Sequence, residues 1–155
     1  MAAYDSSVIV SGSALNVSQL ITELNELAVS RTDSGITSGV TSTTSASPTS
    51  LMTVSHTCAS DEVAIMFGIV QCSVSNATTV GAFRPRINTV EIQPDFVFTD
   101  VVTGTSGANT CRLITASAFN LSGVIDFDIY WYRTTGAGTL YAGGRSIQVF
   151  SLKRR

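Results

Sequence analysis

Charge is what this chain has least of. Lysine occurs once, at Lys153, and histidine once, at His56. Charged residues make up 13% of 155 positions, about half the usual share, while apolar residues stand at an ordinary 44%. No apolar run is long enough to cross a bilayer: the longest, Val63 to Val70, is interrupted by Gly68 and followed by Gln71. The missing charge is therefore not explained by a membrane segment. Obligate protein interfaces are depleted in charge, and the composition predicts a surface largely covered by other chains.

Other absences exclude whole classes of function. The net charge is −2 and the isoelectric point near 5.2, against the basic face that a nucleic-acid partner requires. The one basic run, Lys153-Arg154-Arg155, reads as a solvated tail. Three widely spaced cysteines, Cys58, Cys72 and Cys111, form neither a disulfide framework nor a C-x-x-C pair. Cys72 and Cys111 fall in strand-like runs and are expected to be small buried hydrophobes. No basic residue precedes the apolar patch Val8-Ile9-Val10, so a signal peptide is not expected, and assembly in a reducing cytoplasm is. A lone histidine supports neither a catalytic triad nor a histidine-rich metal site. No cofactor or metal is expected.

What is present falls into three parts. Residues 1–33 read as an arm with one short helix. Asn16 suits an N-cap with Gln19 three residues on, and Leu15 and Leu20 are placed as a hydrophobic staple. Val17, Leu20, Ile21, Leu24, Leu27 and Ala28 share one stripe, with Glu23 and Glu26 off it. Val17, Leu20, Leu24 and Leu27 also make a heptad seam, so a coiled coil and a helix packed on its own domain both fit. Residues 34–57 form a spacer without Asp, Glu, Lys or Arg, rich in Ser and Thr. Threonine favours extended chain lying along a neighbour; a flexible linker fits the composition as well.

Residues 58–155 read as a β head, with strand-like pattern already from Leu51. Val63 to Val74 is too apolar to face water on either side for most of its length. Val80–Phe83 and Ile87–Ile92 follow, divided at Pro85. Phe96–Val102 and Cys111–Phe119 come next. The best alternation is Val124–Tyr132: Ile125, Phe127, Ile129 and Trp131 point one way, and Asp126, Asp128, Tyr130 and Tyr132 the other. Gly143-Gly144 is expected to turn the chain between Thr139–Ala142 and Ser146–Leu152. Seven or eight short strands with turns between them predict a mainly β fold, a β-sandwich of the jelly-roll kind.

Two clusters bear on chemistry. Asp126 and Asp128 lie about 7 Å apart on one strand face, a spacing that an inverting glycosidase or a calcium ion uses. Tyr130 and Tyr132 continue that face, which a solvent-exposed or inter-subunit surface explains without catalysis. Arg84 and Arg86 flank Pro85, and arginine suits carboxylate pairing across an interface. Arg84 or Arg86 with Asp126 or Asp128 of a neighbouring copy is a testable pairing. Tyr130, Trp131, Tyr132 and Tyr141 are the candidates for stacking on a sugar, with Trp131 on the core side.

The order of parts resembles the small accessory structural proteins of tailed-phage virions: capsid decoration (cement) proteins, head fibres and fibre tips. The resemblance is architectural. It rests on the helix Val17–Ala28, the spacer Ser34–Ser60, and the closing run Phe127-Asp128-Ile129-Tyr130-Trp131-Tyr132 followed by Gly143-Gly144-Arg145-Ser146-Ile147-Gln148-Val149-Phe150. It implies a non-enzymatic protein of the virion, a homotrimer with a jelly-roll head, sometimes of the tumour-necrosis-factor kind. Its partners would be itself and the major capsid protein or another virion protein. A receptor- or glycan-binding tip is the alternative. The helix is shorter than a typical fibre stalk, which favours decoration of a shell.

Overall fold

In a computed structural model, residues 31–92, 94–99 and 110–153 are described. They form ten strands and no helix; the helix expected over 16–28, with Val17, Leu20, Leu24 and Leu27, lies outside the described residues. The strands are β1 (Arg31–Thr37), β2 (Thr41–Thr43), β3 (Thr49–Cys58), β4 (Glu62–Val74), β5 (Val80–Ile87), β6 (Val90–Glu91), β7 (Phe96–Phe98), β8 (Thr110–Phe119), β9 (Gly123–Thr135) and β10 (Leu140–Lys153). All pairings are antiparallel. Sheet A runs β1-β10-β4-β8, with β2 also on β10; sheet B runs β3-β9-β5-β6, with β7 also on β5. The fold is mainly β, two sheets stacked as a β-sandwich.

Period-two patterning builds the core. Met66, Val70 and Cys72 of β4, Ile114 of β8 and Ile147 and Val149 of β10 face inward from sheet A. Phe83 of β5 and Ile125, Phe127, Ile129 and Trp131 of β9 meet them from sheet B. Phe83 stacks on Phe98 with centroids 4.7 Å apart. Gly81 makes room for that stack: a Cβ there would stand 2.3 Å from the Phe98 ring. His56 of β3 is a core residue. Its Nε2 meets the Ser151 hydroxyl of β10, tying sheet B to sheet A, and its ring lies edge-on to Phe127 at 6.2 Å.

Several expectations need correction. The strands begin at Arg31, so most of residues 34–57 is extended chain laid on the sandwich itself: β1 pairs with β10 over its full length, and β3 pairs with β9. Pro85 does not break its strand, and β5 runs through it. In an antiparallel strand the N–H and C=O of one residue point to the same side. The Pro85 carbonyl accepts from the Ile92 amide at 2.9 Å on the β6 side, so the missing N–H is lost there and the β9 ladder is untouched. Gly143-Gly144 does not turn the chain either. It lies in a bulge between Ala142 and Arg145 within one long strand, β10. Cys72 is buried as expected, whereas Cys111 is exposed, because it points outward from β8, a sheet-edge strand among the described residues.

Candidate functional site

The two outer faces of the sandwich differ in chemistry. On sheet B, β9 turns Asp126, Asp128, Tyr130 and Tyr132 outward, and β5 sets Arg84 and Arg86 beside them, with Arg84 opposite Tyr130 and Arg86 opposite Asp128. The structure thus brings together the six head residues singled out by sequence. It joins Arg84, however, to acids of its own chain that sequence reasoning missed. Arg84 donates from Nε to Asp95 Oδ1 at 2.7 Å and from a terminal nitrogen to Asp95 Oδ2 at 2.8 Å; its other terminal nitrogen meets Glu91 at 2.7 Å. The Tyr132 hydroxyl accepts from Arg84 at 2.8 Å and donates to Asp95. The excursion through β6 and β7 folds back on β5 and delivers both acids. Nothing in the sequence announces that register.

This network fixes its own ionisation. The Arg84 hydrogen bonds hold the Asp95 carboxyl below its usual range, and the same ion pair raises the Arg84 guanidinium. Burial pushes the Tyr132 hydroxyl up, with the bond to Asp95 adding to it. Asp128 goes the other way from Asp95. It is buried, burial raises its carboxyl, and the Thr53 hydroxyl that donates to it only partly offsets this. Asp126 accepts from Ser55 at 2.6 Å. Arg86 lies over the Tyr130 ring, 4.4 Å from its centroid, and Arg84 lies 5.1 Å from that of Tyr132. Each tyrosine thus carries a guanidinium against its ring. Asp126 and Asp128 are likewise tied to hydroxyls of β3.

Sheet A presents the opposite surface. Its outward positions are Ser34 and Ile36 of β1, Ser146, Gln148, Phe150 and Leu152 of β10, alternate residues Val63–Gln71 of β4, and alternate residues Cys111–Phe119 of β8. None of these carries a charge. Phe67 is 40% exposed, Ile69 48%, Leu113 57% and Phe119 61%. Ile69 sits directly opposite Leu113, and Phe67 packs edge-on to Phe150 at 5.8 Å, so the apolar groups are contiguous. At one end Ile36, Ile69, Gln71 and Cys111, with Arg145 at its wall, line a depression of about 280 Å³. The sequence did carry a signal for this face: Val63–Val74 read as too apolar for water on either side.

Catalytic groupings are not gathered among the described residues. A cleft of about 610 Å³ is lined by Ile65, Phe67, Pro85, Ile92, Pro94 and Phe96 with Thr115, Ala116 and Ser117, none of them titratable near neutrality. No three His, Cys, Asp or Glu side chains of the described residues converge as a metal site requires.

No protein-family model matches the chain, and no curated protein matches it in sequence. Among solved structures, it is similar to a chain from the structure of infectious bursal disease virus, Gx strain, at 10% identity and a TM-score of 0.46. The likeness covers 81% of this chain and 33% of that one. This chain therefore spans about a third of the viral chain's length.

Proposed function

We propose that this chain is a non-enzymatic structural protein of a virion, a homotrimeric decoration protein whose sandwich heads and N-terminal arm bind sister copies and the shell. The observation that carries this reading is the outer face of sheet A, where Phe67, Ile69, Leu113 and Phe119 stand exposed among outward side chains that carry no charge. Monomeric soluble proteins rarely expose contiguous apolar patches beyond a few hundred Å², and such a face calls for protein cover. Fully burying one Leu, Ile or Phe is worth roughly 1.5–3 kcal/mol, and that gain works against the cost of association. The strand order is a second support. With β1 and β2 taken as one strand and β6 and β7 as another, the two sheets have the order of an eight-stranded jelly roll, a fold of viral capsids.

The mechanism is burial. A protein that binds assembled capsomers and not dissociated ones stabilises the shell by mass action. Sedimentation equilibrium at micromolar concentration tests the assembly step. The expected native mass is three times the 16.3 kDa of one chain. A strict monomer overturns the reading.

A further inference from the structure

We propose that the edge of sheet B made by β6 and β7 is a strap, tied down at both ends and held in its middle by the Arg84 side chain, and that its release opens the cleft of about 610 Å³ between this edge and β8. The device is independent of what covers sheet A.

Register is the first argument. β6 and β7 both pair with β5, but not continuously. Glu91 lies opposite Arg86, and Phe96 lies opposite Phe83. The edge therefore takes five chain steps where β5 takes three, and the surplus is a bulge. Across from it stand Arg84 and Pro85. Pro85 has no N–H to give, and its carbonyl accepts from the Ile92 amide at 2.9 Å. Arg84 has no ladder partner on this side among the described residues. What the backbone leaves out, one side chain supplies. Arg84 reaches Glu91 on one flank of the bulge and Asp95 on the other, each at 2.7 Å.

The two ends are fixed by other means. At the β6 end the Asn88 amide donates to the Asp126 carbonyl at 2.7 Å, and the Asn88 side-chain oxygen accepts from the Asp126 amide at 3.0 Å. At the β7 end Phe98 is buried and stacked on Phe83. The middle is different. Ile92 and Phe96 are half-buried and Pro94 is exposed. All three line the cleft, whose other wall is Thr115, Ala116 and Ser117 of β8. Segments with few buried apolar contacts open locally, at a cost below that of global unfolding. Arg84, on the opposite face of the sheet, sets that cost.

Native-state hydrogen exchange, read by nuclear magnetic resonance in low urea, tests the strap. The Ile92 amide is expected to exchange at a rate that urea barely changes, the mark of local opening, while amides of β9 exchange with a strong urea dependence. Asp95→Asn is expected to quicken the Ile92 amide at least tenfold and leave its exchange insensitive to urea. Val149→Ala, in the core of sheet A, is expected to quicken the β9 amides and not Ile92. Access to the cleft has its own reporter: Ala116→Cys in a Cys111→Ser background, alkylated by iodoacetamide. Asp95→Asn is expected to raise that rate in step with the Ile92 amide. An Ile92 amide that exchanges with the rate and urea dependence of β9 overturns the proposal. So does alkylation that stays constant while the Ile92 amide quickens.

Discussion

Arg84 grips Asp95 with two parallel hydrogen bonds, and both side chains are about four-fifths shielded from solvent. A fork-to-fork pair of this kind is specific in geometry and stronger than neutral hydrogen bonds. Asp95→Asn removes the charge and one of the two acceptors, and is expected to cost about 2 kcal/mol at pH 7 in urea unfolding. Because the folded Asp95 carboxyl lies below its ordinary range, its contribution is complete above the unfolded value of about 3.9 and is lost as pH falls through the lower folded value. The gap between the parent and Asp95→Asn is therefore expected to close below pH 4.

Asp128 has the opposite sign. Its carboxyl is raised by burial, so above both values the folded state carries a penalty that is relieved as pH falls through the raised folded value. Asp128→Asn keeps an acceptor for the Thr53 hydroxyl and removes the charge beside Asp126. The variant is expected to be as stable as the parent or more stable, by on the order of 0.5–1 kcal/mol at pH 7, with the advantage gone by pH 3. Thermal unfolding at the two pH values measures it.

Gly81 is expected to tolerate no side chain. A Cβ would meet the Phe98 ring at 2.3 Å, and Phe98 is held in place by its stack on Phe83. Gly81→Ala is expected to cost about 1–3 kcal/mol through overpacking. A weaker near-ultraviolet signal with strand content retained locates the damage in this aromatic pair.

The apolar face predicts a separation of folding from assembly. Ile69 and Leu113 are about half exposed in the single chain, so Ile69→Ser with Leu113→Ser should leave the far-ultraviolet spectrum unchanged. The same double variant is expected to lower the native mass in sedimentation. Loss of strand content with loss of mass would place these side chains in the head's own core instead.

Particular residues show where sequence reading stops. The alternation of Val124–Tyr132 was legible because a period of two depends only on local backbone geometry, and β9 turns those side chains as their order dictates. Pro85 and Gly143-Gly144 were misread because a proline or a glycine pair is punctuation only in relation to a partner strand. Pro85 is harmless where its missing N–H points toward β6, and Gly143-Gly144 makes a bulge because β4 continues to pair on both sides of it. Asp95 was invisible because its meeting with Arg84 depends on the path through β6 and β7.

The sequence by itself determined that the chain would be β, poor in charge, and in need of cover on both sides of Val63–Val74, because periodicity and hydropathy are properties of neighbours along the chain. Tertiary structure alone decided which side of β4 became interior and which was left as an open apolar face. That choice follows from strand order and register, which bring residues dozens of positions apart to within a side chain's reach.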